Sequence, residues 1–443
     1  MFRVSCSMFH EIKIAVIQFP GSNCELETAR AVVRNGMVAE HFRWNEKKSL
    51  KSFAGAILVG GFSYEDRGRS GLIASKDPLL KEVFALAKRG GVVLGICNGA
   101  QVLVETGLVP NFEFGKSVLA LTHNRRVKNG AVVGENFYND WIFVRPQKNR
   151  ANAFNQFEEE ILRIPVAHAE GRFFSEDADL IGKIVEENLN AFVYCDAEGN
   201  IQPEFPTNPN GSILNLAGVT NATGNVMALM PHPERTEIGD PIFQSMRRWI
   251  LGEVEKPEVH KIKFAAPVSK ILAAPKTDVE LFVKLKITDN EALSVGRAAQ
   301  LDLEKFRWFG FQFTDSLTHE ISRGLTPIVK TNLEKIIRSG SLLNAEKEEV
   351  FVKFGDKVWK FSKDHGLVAV QFVLPKNRIL AREKEASLDE SREQTLNHLL
   401  GKSVVRNFTS GVLWSTEDAK EKFEKAIVGN FFHHPASHYL SKI

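Results

Sequence analysis

Residues 12–252 are predicted to form an α/β fold, with a doubly wound, mainly parallel sheet and helices on both faces. Two observations predict the sheet. Short apolar runs rich in β-branched residues alternate with amphipathic segments, which is typical of β-α-β crossovers. Glycine-containing turns follow these runs, where such sheets bind their ligands. The chain has 443 residues, 43% of them hydrophobic, which is enough for two or three cores.

The predicted elements alternate from the start of this region. Strands are expected at "IKIAVIQF", "AGAILVGGF" and "GVVLGI", and helices at residues 23–35 and 78–89, with a further helix starting at Asn98. Three polar or glycine-rich segments come directly after the strands: "PGSNC", "GGFSYEDRGRSG" and "GICNGAQ". Because the carboxyl ends of parallel strands meet at one edge of a sheet, we expect the functional site there.

The rest of the chain differs in composition. Residues 1–11 form an N-terminal extension, and residues 253–278 contain three prolines and many lysines without a sustained period, as in a linker. Residues 279–443 are predicted to form an α+β region. The similar runs "VELFVKLKI" and "VAVQFVL" suggest two related units, 279–366 and 367–443, with chance similarity as the alternative.

Composition excludes several classes of function. A net charge of +3 gives no reason to expect nucleic acid or a membrane surface as a partner. The apolar runs are too short to cross a membrane, so we expect a cytoplasmic protein. The four cysteines are widely spaced without a CxxC pair, which disfavours a disulfide scaffold and a metal site. A free thiol is therefore available for chemistry.

Cys97 is the first candidate for that chemistry. Free cysteine is often simply buried, and a structural role is the alternative here. However, Gly95 and Gly99 flank it with the spacing of a nucleophile elbow. The helix expected to start at Asn98 would point its unpaired N–H groups at the sulfur, which favours the reactive thiolate.

A thiolate nucleophile needs a proton shuttle, which is usually a histidine oriented by a carboxylate. "MPHPER" places His232 between two prolines and Glu234 two residues later, where both side chains can point the same way. An ordinary loop is the alternative for this segment.

An oxyanion hole is the third expected part of the site. The N–H groups of Gly61 and Phe62, after a predicted strand, could combine with that of Asn98 to bind a tetrahedral intermediate. A plain glycine turn is the alternative.

These segments together resemble a known family. "GICNGAQ", "MPHPER" and "GGFSYEDR" are similar to motifs of the class I glutamine amidotransferases, and "VIQFPGSNCE" and "IPVAHAEGRF" narrow the resemblance to the glutaminase subunits of phosphoribosylformylglycinamidine synthase. The resemblance implies that Cys97 is the nucleophile, His232 the general base and acid, Glu234 its orienting partner, and that Gln101 lies near the bound glutamine. It leaves His168, Glu170 and Arg172, of the segment "HAEGR", without an assigned role.

The resemblance also implies a reaction and partners. Glutamine would be hydrolysed through a Cys97 thioester, and the ammonia would pass to a large ATP-dependent synthetase that converts formylglycinamide ribonucleotide to formylglycinamidine ribonucleotide in purine biosynthesis. No cofactor is expected in this chain, and ATP and Mg²⁺ belong to the partner. Both "GKS" tripeptides lack the earlier glycine of a phosphate-binding loop. Residues 279–443 resemble the small third subunit of the synthase, a bridge that they would replace.

Two other functions stay open at this point. A stand-alone Cys-His-Glu hydrolase of γ-glutamyl compounds would need no partner. A non-catalytic assembly scaffold would keep the fold alone, although the presence of Cys97, His232 and Glu234 counts against it.

Overall fold

The computed structural model describes residues 11–46, 48–113, 115–259, 262, 264, 266, 271–314, 325–385, 387–401 and 403–442. The chain divides into two compact units, Met1–Pro267 and Val268–Ile443. This division falls inside the segment 253–278 that the sequence suggests as a linker. Among the described residues, no helix is both long enough and apolar enough to cross a membrane.

The first unit is an α/β structure. Its strands are β1 (Lys13–Gln18), β2 (Val38–Arg43), β3 (Gly55–Leu58), β4 (Val92–Ile96), β5 (Ala120–Thr122), β6 (Arg125–Lys128), β7 (Ala131–Glu135), β8 (Tyr138–Pro146), β9 (Leu162–His168), β10 (Arg172–Phe174), β11 (Phe192–Cys195), β12 (Leu216–Thr220) and β13 (Val226–Leu229). Its helices are α1 (Glu25–Arg34), α2 (Leu72–Ser75), α3 (Leu80–Lys88), α4 (Asn98–Glu105), α5 (Ala178–Glu186) and α6 (Asp240–Leu251).

The main sheet of this unit has the strand order β2-β1-β3-β4-β13-β12-β11-β8-β9. The pairs from β2 to β13 are parallel, and the remaining pairs are antiparallel. Every residue of β3 and β4 is buried, as expected for strands covered on both faces. The predicted α/β class is confirmed, and the sheet continues into an antiparallel half.

The predicted elements match the observed ones closely. The helices expected at residues 23–35 and 78–89 are α1 and α3, each shorter by one or two residues at its ends. The strand β2 was not predicted. Its sequence "VAEHFR" has charged residues and is mostly exposed or half-buried at the sheet edge, so it lacks an apolar run.

The second unit is built on another sheet. Its strands are β14 (Ile271–Leu272), β15 (Val279–Leu285), β16 (Glu304–Phe313), β17 (Glu348–Phe354), β18 (Lys357–Ser362), β19 (Gly366–Val370), β20 (Asn377–Glu383), β21 (Val405–Thr416) and β22 (His438–Ser441). Its helices are α7 (Asn290–Ala299), α8 (Pro327–Arg338), α9 (Ser387–Leu400) and α10 (Lys420–Val428). The strand order is β14-β22-β20-β21-β16-β15-β17-β18-β19.

This second sheet contains a repeated arrangement. The described elements follow the order strand, helix, strand, helix, strand twice, from β15 to β17 and from β20 to β22. The middle strands β16 and β21 pair antiparallel at the centre of the sheet. From this centre outward, the first and then the last strand of each repeat follow in the same order, β20 and β22 on one side and β15 and β17 on the other. Two repeats related by a two-fold axis have this strand order.

The second repeat begins later than the boundary at 366/367 predicted from the sequence. The run starting at Val368 has only its first three residues in β19, which pairs with β18 in a hairpin at the sheet edge. The strand that corresponds to β15 is β20, which begins at Asn377, nine residues after Val368. Apolar alternation identifies a half-buried strand but not the strand that it pairs with. The sequence therefore could not show that β20, and not the run starting at Val368, is the counterpart of β15.

Candidate active site

Cys97 occupies a tight turn between β4 and α4. Its backbone has φ 49° and ψ −106°, a conformation that non-glycine residues rarely adopt. The Cys97 N–H donates to Leu229 O at 2.8 Å, which ties the turn to β13. A Cβ atom at Gly99 would lie 2.0 Å from Leu58 O, and one at Gly95 would lie 2.4 Å from Gly99 O. The two glycines therefore permit the close packing that holds the turn.

The Cys97 sulfur is largely enclosed. The residue is 6% exposed, and its thiol faces the carbonyl oxygen of Ala167 in β9 at 3.7 Å. Asn98 is the first residue of α4, where backbone N–H groups have no acceptor in a preceding turn. The sulfur thus lies between a helix N-terminus and a strand of the antiparallel half.

His232 and Glu234 form a buried pair just after β13. The distance from His232 Nδ1 to Glu234 Oε1 is 2.7 Å, and the two side chains are 1% and 0% exposed. The His232 N–H donates to Pro165 O at 2.8 Å, so β9 fixes the backbone here. Burial alone would lower the pKa of the imidazole, but the Glu234 carboxylate and the Cys97 and Cys24 sulfurs raise it well above its ordinary value.

The other ring nitrogen of His232 is placed differently. His232 Nε2 is buried and has no hydrogen-bond partner among the described residues. Since Nδ1 is held by Glu234, Nε2 is the atom that can exchange a proton with a neighbouring thiol or a bound substrate. The structure therefore brings Cys97, His232 and Glu234 together from segments more than 130 residues apart.

The glycine loop after β3 differs from the expectation at one atom. The Phe62 N–H donates to Gly21 O at 2.9 Å, because Ser22 and Gly61 form a short antiparallel bridge. In this conformation the amide of Phe62 is occupied and does not serve as an oxyanion donor. Gly61 has a φ of +139°, and the oxyanion-hole roles of Gly61 and Asn98 stay predictions. The sequence did not show that the "PGSNC" loop would pair with this segment.

Asn98 and Gln101 connect this loop to α4. The Asn98 side chain accepts from Ser63 N at 3.0 Å and donates to Asp66 Oδ1 at 3.1 Å and to Gln101 Oε1 at 2.9 Å. Gln101 Nε2 donates in turn to the Glu170 carbonyl oxygen at 2.7 Å. These two hydrogen bonds hold the Gln101 side chain in place, and the residue is 5% exposed. Its position near the bound glutamine stays a prediction.

The segment "HAEGR" forms part of the same wall. His168 Nδ1 contacts Asn124 Oδ1 at 3.1 Å, and burial followed by the charge of His232 lowers the pKa of His168 to about 3. Arg172 Nε donates to His123 O at 2.8 Å, and both His168 and Arg172 are buried. These contacts indicate a neutral His168, and they place the Arg172 side chain against the main chain of His123.

A family model described as a CobB/CobQ-like glutamine amidotransferase domain matches residues 11–249. The chain belongs to this family. It is therefore an enzyme of the glutamine amidotransferase type, and the predicted resemblance is confirmed.

Individual relatives of this amidotransferase cover the same part of the chain. Phosphoribosylformylglycinamidine synthase subunit PurQ of Methanothrix thermoacetophila is 42% identical over 260 residues, 54% of this chain and 98% of that protein. The PurQ subunit of Pyrococcus furiosus is 38% identical over 247 residues, 54% of this chain and 99% of that protein. A solved structure, PurLQS from Thermotoga maritima, is 31% identical, covers 54% of this chain and 99% of that chain, and has a TM-score of 0.42.

Sequence reasoning missed the carboxyl group of Asp66 at this amidotransferase site and left that of Glu170 without a role. Burial and then the charge of Glu170 raise the pKa of Asp66 to about 7. Glu170 itself accepts from the Ser70 N–H at 3.2 Å through Oε2. The sequence placed both residues in noted segments, but only the folded chain brings two distant carboxyl groups close enough to repel each other.

One cluster in this amidotransferase has metal-ligand chemistry. Ligand atoms of Cys24, His232 and Glu234 lie within 4.8 Å of one another. Arg235 Nη2, however, lies 3.2 Å from the Cys24 sulfur. A guanidinium so close to the sulfur opposes a second cation there, so we assign no metal to this cluster.

Proposed function

We propose that this chain is the glutaminase component of phosphoribosylformylglycinamidine synthase, with Cys97 as its nucleophile. The observation that carries the proposal is the buried 2.7 Å contact between His232 Nδ1 and Glu234 Oε1 beside a thiol in a strained turn. Such an arrangement suits a thiolate that is activated by an oriented imidazole. The 42% identity to a PurQ subunit over nearly its whole length supports the choice of substrate.

The chemistry follows from these positions. The Cys97 thiolate attacks the γ-amide carbon of glutamine, and the N–H groups of Gly61 and Asn98 stabilise the oxyanion that forms. His232 Nε2 gives its proton to the departing ammonia, which leaves a γ-glutamyl thioester. His232 then takes a proton from water, whose attack releases glutamate and restores the thiol. Glu234 stabilises the imidazolium in both steps.

The ammonia passes to a synthetase partner in this proposal. That partner binds ATP and Mg²⁺, activates the amide oxygen of formylglycinamide ribonucleotide, and forms formylglycinamidine ribonucleotide in purine biosynthesis. The relatives' names describe them as a subunit of this synthase, which supports such an arrangement.

We further propose that residues 279–443 bridge this amidotransferase to the synthetase. The repeated strand-helix-strand-helix-strand order, joined through β16 and β21, supports a duplicated docking region that takes the place of a small third subunit.

The decisive experiment for the reaction is glutamate release from glutamine. The native chain and Cys97→Ser are compared with and without a purified synthetase of this pathway. We expect the synthetase to stimulate the native chain and Cys97→Ser to be at least about 1,000-fold slower, since serine replaces the thiolate. Equal rates of the two proteins would refute the thiolate mechanism. High activity of the native chain without stimulation would instead favour the stand-alone γ-glutamyl hydrolase.

The bridging role is tested by a truncation after residue 267. This end point is chosen because Phe264 still packs against Phe112 of the first unit, with ring centroids 5.4 Å apart. We expect the shortened protein to keep its fold and lose most of its affinity for the synthetase, as measured by calorimetry. Unchanged affinity would exclude the bridging role.

A further inference from the structure

Cys24 is a second buried thiol at the proposed active site. It precedes α1 and is 1% exposed. The N–H groups of Asn23 and Cys24 donate to Gly60 O at 3.2 and 3.3 Å, which joins the "PGSNC" loop to the glycine loop. Main-chain bonds therefore fix the position from which the Cys24 side chain extends.

The Cys24 sulfur lies against the His232 ring. It is within 4.8 Å of ligand atoms of His232 and Glu234. A Cβ atom at Gly60 would lie 2.9 Å from His232 Cε1 and 3.1 Å from Cys24 Sγ. The sulfur and the imidazole thus pack against the same glycine, where no side chain can be accommodated.

The same sulfur contacts a positive charge. Arg235 Nη2 donates to Cys24 Sγ at 3.2 Å. Burial alone would lower the pKa of the guanidinium, but its contact with Cys24 and the charge of Glu234 raise it. Glu234 Oε2 is buried without a hydrogen-bond partner among the described residues, so a nearby cation stabilises its charge. The position of Arg235 therefore affects the charges of Cys24, Glu234 and Cys97.

We propose that Cys24 is a positioning residue for the Cys97 reaction, which holds Arg235 in place and restrains the His232 imidazole from the side of α1. The inference rests on the proposed function and adds a fourth side chain to the machinery. With Arg235 held there, its positive charge favours the thiolate of Cys97, and the packed sulfur keeps the imidazole of His232 beside it. Loss of the sulfur frees Arg235 and leaves space beside the ring, so the thiolate of Cys97 is less stabilised.

The test measures Cys97 without relying on glutamine hydrolysis. The rate of Cys97 alkylation by iodoacetamide is followed by peptide mass spectrometry between pH 5 and 10 in the full-length native chain, Cys24→Ala, Cys24→Ser and Cys195→Ala. Cys195 is a matched control, since it is a buried thiol in β11. We expect the alkylation midpoint of Cys24→Ala to rise by about half a pH unit or more, because the thiolate loses stabilisation. Cys24→Ser, whose hydroxyl can still accept from Arg235, should shift less, and Cys195→Ala should not shift.

The outcomes separate a positioning role from simple packing. Coincident alkylation profiles of Cys24→Ala and the native chain would overturn the proposal, as would an equal shift in Cys195→Ala. If Cys24→Ala does not fold, as judged by circular dichroism, Arg235→Gln replaces it, and an unchanged profile there is equally decisive. The proposed function is judged separately by glutamate release. A native chain that releases no glutamate with the synthetase but shows the Cys24 shift would refute that function alone.

Discussion

At the scale of the residue, Cys97 is held in a costly backbone conformation. Its φ of 49° and ψ of −106° place it in a sparsely populated region, which costs on the order of 1–3 kcal/mol for a non-glycine residue. The hydrogen bond to Leu229 and the contacts of Gly95 and Gly99 maintain it. The strain places the sulfur at the start of α4, which is the position that the proposed chemistry requires.

Asp66 is a residue whose protonation should affect stability. Its pKa is raised from 3.8 to about 7, chiefly by burial. Because the folded state then binds more protons than the unfolded state between pH 4 and 7, this group makes the protein less stable as pH rises through that range. We expect Asp66→Asn to increase the free energy of unfolding of the first unit by about 1–3 kcal/mol at pH 8 and to have little effect at pH 4.5.

Urea unfolding at the two pH values measures this difference. Glu65→Gln is the matched control, because Glu65 is its neighbour in sequence and its side chain is 76% exposed in a contact with Arg67. That variant should be neutral at both pH values. A gain for Asp66→Asn that is the same at pH 4.5 and 8 would show that protonation is not its cause.

At the scale of the element, α4 depends on glycine for its position. All eight of its residues are buried, so the helix packs on every side. The contact of Gly99 with Leu58 O is between main-chain atoms, which cannot move without displacing β3. The N-terminus of α4 can therefore lie this close to β3 only because Gly99 has no side chain.

Two glycine substitutions should have opposite effects. Gly99→Ala places a Cβ 2.0 Å from Leu58 O, and we expect it to lower the free energy of unfolding by about 2–4 kcal/mol and to reduce glutamate release. Gly182→Ala in α5 meets nothing within 4 Å and should raise stability by about 0.5–1 kcal/mol through helix propensity. Calorimetric melting of both variants checks the pair. A neutral Gly99→Ala would show that α4 can shift away from β3.

At the scale of the whole molecule, the chain combines two units with different cores. One extends along both the parallel and the antiparallel part of the first sheet, and another lies on the second sheet between β16 and α8. Phe311 of β16 and Phe243 of α6 are both 0% exposed, one in each unit. Substitutions at these positions can therefore test whether the units are stabilised separately.

We expect Phe311→Ala to destabilise the second unit by about 3–5 kcal/mol, since it leaves a cavity in a closed core. Hydrogen exchange should accelerate by about 100-fold or more in β16 and β21 and stay unchanged in β4. Phe243→Ala should give the reverse pattern. Equal acceleration in both units by either variant would mean that they unfold together.

The sequence by itself determined much of the local structure. Buried apolar runs predicted β1, β3 and β4, because such runs must be covered on both faces. Glycines at fixed spacing marked the turn at Cys97, since only small residues allow a close approach. The types and spacing of His232 and Glu234 marked them as candidate partners, because a proline-fixed pair two residues apart can face one way.

Only the tertiary structure decided which distant groups meet. Pairing of the loop around Gly21 with the glycine loop occupied the amide of Phe62, and it brought Cys24 to His232. Strand pairing at the sheet edge likewise separated β19 from the second repeat. The contacts of Gly21 and Cys24 join segments tens to hundreds of residues apart. Local periodicity carries no information about the partner of a segment, near or distant, because it reports burial alone.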